Sequence, residues 1–141
     1  MSATITIDAK SRKVLFRLQG LQQASKKALR KSLYEIGFEV VKEARRLITT
    51  GKRTGKWYTY KGRPHQASDV REPPANRSGR LAKSGDYKVH RWNLMTLTEK
   101  TPYSGVLEYK MDRPHWMKAM ENKSQEAVNI ILDNMKRRIS R

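Results

Sequence analysis

Leu29, Leu33, Ile36, Val40, Ala44 and Leu47 recur at steps of three and four. That spacing draws one apolar stripe down an α-helix, and it constrains the fold more than any other feature of the chain. Leu21, Val41 and Ile48 extend or widen the stripe. The polar side offers Lys31 with Glu35 and Glu39 with Lys42 at helical pair spacing, each pair contributing about 0.5 kcal/mol at most. Gly37 inside the run costs roughly 1 kcal/mol relative to alanine; close backbone packing and neutral accident explain it equally well. The helix is expected over 21–49, between Gly20 and Gly51.

The flanking segments have other patterns. Ile5 and Ile7 alternate with polar residues, as do Val14, Phe16 and Leu18, and residues 9–13 between them are polar. This predicts a β-hairpin over 1–19. Residues 50–78 carry Gly51, Gly55, Gly62, Pro64, Pro73 and Pro74 and keep no apolar period, so an extended basic loop is expected there; loops this long are uncommon and usually functional or disordered. Residues 79–109 predict a short helical piece at 80–83, then an antiparallel pair, 87–92 with 94–98, turning near Asn93, and one or two helical turns in 102–109. Arg113-Pro114 opens a last helix over 113–140, since proline is tolerated in a first turn. Trp116, Met120, Ala127, Ile131, Met135 and Ile139 mark its buried side. The fold class is therefore α+β in one domain: two long helices packed on a small antiparallel β-sheet, with a long basic loop between the first helix and the later strands.

Charge narrows the partners. Lysine and arginine number 31 against 13 acids, a formal net charge of +18. Such an excess attracts nucleic acid, acidic protein surfaces or anionic lipid, and by itself does not choose among them. The apolar fraction of 37% implies a thin core. The absence of cysteine removes disulfides and thiolate metal sites. No apolar run approaches the roughly 18–20 residues that span a bilayer, and residues 1–5 carry no leader pattern, so no membrane partner is expected.

Catalytic signatures are missing. His65, His90 and His115 are scattered without metal-site pairing, and each reads as an ordinary surface or loop histidine. Residues 52–56, Lys-Arg-Thr-Gly-Lys, have the wrong spacing for a phosphate loop. Ser78-Gly79 and Ser104-Gly105 lack a nucleophile-elbow context. Glu35, Glu39 and Glu43, at steps of four, read as a solvated helix face rather than a metal-binding acid cluster. The expectation is a protein with no catalytic residue, no cofactor and no metal. A partner or DNA interface is expected instead in the loop and just beyond it, where Lys52, Arg53, Lys56, Lys61, Arg63, Arg71, Arg77 and Arg80 interleave with Trp57, Tyr58 and Tyr60. Cations neutralise phosphates and aromatic rings stack on bases, while aromatics with arginine are also what protein interfaces prefer.

The order of short motifs adds a resemblance. Residues 62–68 read Gly-Arg-Pro-His-Gln-Ala-Ser, followed by Glu72-Pro73-Pro74-Ala75 and, at 78–84, Ser-Gly-Arg-Leu-Ala-Lys-Ser. Residues 103–109 then read Tyr-Ser-Gly-Val-Leu-Glu-Tyr, and Arg113-Pro114-His115-Trp116 opens the final helix. In this order the chain, from about Phe16 to Ile139, resembles the tail-completion (neck, or minor tail component) proteins of long-tailed bacteriophages. Arg71 stands where that family often has a glycine before Glu-Pro-Pro-Ala, and Lys110 where a glycine is common after Glu-Tyr. The resemblance implies a virion structural protein, made in the host cytoplasm, that acts as a homo-oligomeric ring at the head–tail junction. The ring would commonly be hexameric to match the tail tube. Its implied neighbours are tail terminator, tail tube or head connector proteins, with packaged DNA within electrostatic reach. A sequence-nonspecific nucleic-acid-binding protein is the alternative that the charge alone allows.

Overall fold

The computed structural model describes residues 9–140, and of Ser11 only the backbone. Helix α1 runs Ala9–Thr50, about 63 Å at 1.5 Å per residue. The helix α3, Trp116–Ile139, packs along it. Between them lie hairpin β1 (Trp57–Tyr60) and β2 (Arg63–Gln66), the five-residue α2 (Arg80–Ser84), hairpin β3 (Gly85–Arg91) and β4 (Leu94–Glu99), and a turn of π-helix at Val106–Lys110. The fold is α+β, with two separate two-stranded antiparallel sheets rather than one.

The stripe read from the sequence is the centre of the fold. Val40, Ala44 and Leu47 are buried together with Ala119 of α3, and Ile36, Leu97 and Trp116 pack against them. A second small core joins Ile48 to Leu81 and Ala82 of α2, with Leu107 against it. The helix pairs Lys31–Glu35 and Glu39–Lys42 form at 3.6 and 3.8 Å.

Several expectations are corrected. Residues 14–18 are helical, not a strand; residues 4–8, the other half of the expected hairpin, lie outside the described residues. Val14, Leu18 and Leu21 also fit helical steps of four and three, and without a breaker α1 simply extends back through them. Gly20 has open space around it and is tolerated at its usual cost. The row Glu35, Glu39, Glu43 is not a solvated face. Glu43 is buried, takes both hydrogen bonds of the Arg46 fork at 2.8 and 2.7 Å, and accepts Asn122 of α3 at 2.9 Å. Those donors hold its carboxyl near pH 2, with the Arg46 hydrogen bond outweighing the opposing effect of burial. Nearby, buried Asn134 donates to Ser32 and Glu35 across the same α1–α3 seam. On α3, Met120 and Ile139 are exposed, and Ala119 and Asn134 take the buried positions.

The region 50–78 is not an extended loop. Lys61 and Gly62 both have positive φ, 50° and 75°, which makes Tyr60–Arg63 a two-residue hairpin turn of the primed type, the tightest link for twisted strands. The pairing runs from Trp57 opposite Gln66 to Tyr60 opposite Arg63. Beyond it Ser68, Pro73 and Pro74 are buried, so this part packs on the body. Glu72 organises the stretch by accepting Thr54 N–H and Oγ1 and Asp69 N–H.

Arg71 and Lys110, singled out in the sequence, differ in backbone conformation. Arg71 sits at φ 64°, in the left-handed region where a side chain is strained and glycine is not. Its N–H donates to Asp112 O at 2.6 Å, its carbonyl accepts Lys118 Nζ, and its guanidinium lies 3.7 Å from the Asp112 carboxylate. Near Lys110 the left-handed residue is instead Asp112, φ 47°, a residue type that tolerates it. Arg71→Gly is expected to raise stability by about 0.5–1 kcal/mol. Relief of backbone strain outweighs the added unfolded-chain entropy and an exposed ion pair of little worth. Urea denaturation measures it; a lower midpoint would contradict the reading.

Candidate partner interface

The β1–β2 hairpin and the segment from Pro74 to Leu81 enclose a cleft of about 460 Å³, closed behind by Tyr103, Leu107 and Arg113. Each wall has a local cause. The tight turn sets Lys61 at the hairpin tip, and strand alternation turns Tyr58 and Tyr60 to the same side. Opposite, Asn76 Oδ1 accepts Gly79 N–H at 2.9 Å, and Gly79 at φ 76° reverses the chain so that Arg80 begins α2 at the cleft. Arg113 is placed by its N–H, which donates to Leu107 O at 2.9 Å.

Electrostatically the cleft is one-sided. Lys61, Arg77, Arg80 and Arg113 line it, and among the described residues no carboxylate does. The Arg77 guanidinium lies 4.3 Å from the centre of the Tyr60 ring, and Tyr58 meets His65 edge-on at 5.1 Å. Such cation–π contact contributes about 0.5–1 kcal/mol at an exposed site, enough to orient a side chain. Among the described residues, two polar atoms here lack partners: the Ser68 hydroxyl, on a residue 1% exposed, and the buried Arg113 Nε. An unpaired buried polar group costs roughly 1–3 kcal/mol.

The residues singled out from the sequence divide accordingly. Tyr58, Tyr60, Lys61, Arg77 and Arg80 converge on the cleft. Arg63 lies beside it, sharing a second concavity with Lys61 and Arg77. Arg53 does something different: it donates to the Ile48 and Thr49 carbonyls at 3.1 and 3.2 Å, closing the end of α1. Lys52, Lys56 and Trp57 are exposed and line no part of it, and Arg71 turns towards Asp112. Sequence reading missed Ser68, Tyr103 and Arg113 as cleft residues. The motifs Gln-Ala-Ser, Tyr-Ser-Gly and Arg-Pro-His that contain them were the available signal.

One polar cluster outside the cleft corrects a sequence reading. His115 is fully buried, not a surface histidine. Its Nε2 lies 2.8 Å from Glu99 Oε2, and its Nδ1 is 2.9 Å from Glu108 Oε2, close but not aligned as a hydrogen bond. Glu99 also accepts Trp116 Nε1 at 3.0 Å and Ser84 Oγ at 3.1 Å. Glu108 accepts the N–H groups of His115, Trp116 and Met117 at 2.9, 3.3 and 3.0 Å. It thereby caps α3, which starts at Trp116 rather than at Arg113-Pro114. Burial works against an imidazolium here, but the two carboxylates outweigh it and raise the His115 pKa to about 9. Burial likewise opposes the Glu108 carboxylate, and His115 with the backbone donors lowers its pKa to about 2. The carboxylates flank opposite nitrogens of one ring, so they do not converge on a point. Among the described residues no group of three or more such side chains is placed to hold a metal ion. The cluster ties β4, the π-turn and α3 together.

Among the described residues no helix is long and apolar enough to cross a membrane. Searches against protein-family models, curated proteins and solved structures return no match for this chain.

Proposed function

We propose that this chain is a non-enzymatic structural protein of a bacteriophage virion, of the tail-completion or neck kind. In this reading it is made in the host cytoplasm and assembles as a homo-oligomeric ring, hexameric to match the tail tube. The ring sits at the head–tail junction and joins the tail to the head or its connector. The observation that carries the reading is the acid-free cationic cleft and hairpin face, where among the described residues the Ser68 hydroxyl and Arg113 Nε have no hydrogen-bond partner. Such a face is completed by another macromolecule.

Two further observations support it. Residues of the family-like motifs hold the architecture together: Pro73, Pro74, Leu81 and Ala82 are buried, and Glu108 and His115 fix the start of α3. At the other end, residues 9, 10 and 12–23 of α1 are exposed, with Phe16 at 79% and Val14 and Leu18 above half. Apolar helix surface of this kind suits a protomer that neighbours in a ring complete. The cleft side would face the tail terminator, tail tube or head connector, and the net charge of +18 would hold packaged DNA without sequence preference.

The experiment is a deletion of the gene in a phage that carries it. Unjoined heads and tails, restored to whole particles by the chain supplied in trans, are expected, with the chain found at the neck by immunogold labelling. Infectious particles that lack the chain would refute the reading. The surplus of exposed lysine and arginine also favours a second reading, a sequence-nonspecific nucleic-acid-binding protein. That one requires micromolar or tighter duplex binding at physiological salt, with a steep fall of log affinity against log salt.

A further inference from the structure

We propose that the cleft is a receptor for a carboxylate carried by a protein segment, an Asp or Glu side chain or a chain terminus with apolar neighbours. This deepens the reading above, since it names what the interface recognises.

The chemistry of the walls selects the ligand. Lys61, Arg77, Arg80 and Arg113 supply four cationic groups with no carboxylate among the lining residues. Guanidinium groups bind carboxylate and phosphate oxygens through paired, charge-assisted hydrogen bonds. Anions as a class therefore fit. The unpartnered atoms then discriminate within the class. Ser68 is 1% exposed, and among the described residues its hydroxyl and the buried Arg113 Nε lack acceptors. Both residues line the cleft, so a slender group that enters it and shifts the covering side chains brings an acceptor to these shielded atoms. A duplex displays its phosphates on a rigid convex surface, which meets exposed lysines and arginines but does not insert.

Size and apolar surface agree. About 460 Å³ lies within the usual range for small-ligand sites, and it accommodates one or two amino-acid side chains. The rings of Tyr58, Tyr60 and Tyr103 offer apolar area to whatever flanks the carboxylate. Aromatic side chains with arginine are also the commonest anchors of protein interfaces.

The test uses the purified full chain and fluorescein-labelled hexapeptides with a central Leu-Glu-Leu, or the isosteric Leu-Gln-Leu, read by anisotropy. A labelled 20-base-pair duplex is measured in parallel, and inorganic phosphate is added as a competitor. The acidic peptide is expected to bind about tenfold tighter than its amide isostere, and Ser68→Ala and Arg77→Ala each to weaken it by about three- to tenfold. Ser68→Ala is expected to leave duplex binding unchanged, and to unfold no earlier than the parent, because the hydroxyl has no partner to lose. Equal binding of acid and amide, or no binding of either, would overturn the proposal. So would full displacement by millimolar phosphate, which would mark a free-anion site, or a Ser68→Ala loss shared by the duplex. The phage deletion is independent: particles that assemble without the chain would remove the ring and leave this receptor standing.

Discussion

Glu108→Ala is expected to lower stability by about 3–5 kcal/mol, the usual penalty for removing one partner of a buried ion pair. Two losses combine. The N–H groups of His115, Trp116 and Met117 lose their acceptor, and the His115 imidazolium keeps only Glu99. Glu108→Gln retains an acceptor but no charge, and it should fall between the parent and the alanine variant. Chemical denaturation measures all three; a change below about 1 kcal/mol for alanine would show that the cluster is not what seats α3.

The same cluster fixes a pH profile. The raised His115 pKa means its contribution is complete below its ordinary value of 6.5 and disappears as pH rises through about 9. The lowered Glu108 pKa means its contribution is complete above 4.5 and disappears as pH falls through about 2. The cluster therefore stabilises most between pH 4.5 and 6.5, with decline on both sides. In Glu108→Gln the alkaline decline should flatten, because one of the two carboxylates that raise His115 is gone.

Gly37→Val is expected to unseat the β3–β4 hairpin from α1, with a loss of about 3 kcal/mol, and Gly37→Ala to lose about 1–2 kcal/mol. A Cβ at this position would lie 2.3 Å from Tyr87 Cδ2 and 2.7 Å from Met95 Sδ. Alanine gains roughly 1 kcal/mol of helix propensity, but the tyrosine ring must move as a unit and its displacement outweighs that gain. Tyr87 and Met95 stand on paired strands, so the disturbance reaches both. Thermal melts together with the NMR signals of Tyr87 give the readout. A Gly37→Ala protein as stable as its parent would mean that the hairpin shifts freely on the helix. Of the two explanations left open by the sequence, close packing on the helix backbone, here by the side chains of Tyr87 and Met95, is the one that fits.

The comparison of sequence with structure turns on what each interaction needs. Periodicity is local, so the core stripe of α1, the β3–β4 pair turning beside Asn93 and the short α2 were legible from spacing alone. Where one set of residues satisfies two periods, spacing cannot choose: Val14, Phe16 and Leu18 fit a strand, while Val14, Leu18 and Leu21 fit a helix. Continuity with the long helix decided it. The β1–β2 hairpin was hidden for another reason. Strand β1 is aromatic but mostly exposed, and β2 is largely polar, so no hydrophobic alternation marks the pair, and the aromatic run with the Lys61-Gly62 turn is the signal that betrays it. Of the basic and aromatic residues singled out, five reached one cleft, because membership depends on which way the Gly79 reversal and the π-turn aim their neighbours.

The sequence by itself determined the α+β class, the stripe that becomes the core and the excess of positive charge, because these follow from residue type and short-range repetition. Only the tertiary structure decided that Glu43, Glu99, Glu108 and His115 are interior and that Ser68 and Arg113 join Arg77 and Arg80. Burial of a charge becomes tolerable when partners arrive to compensate it, and most of those here come from other elements. Glu99 and His115 are sixteen residues apart, Glu43 and Asn122 seventy-nine, and no periodic pattern in the sequence encodes those meetings.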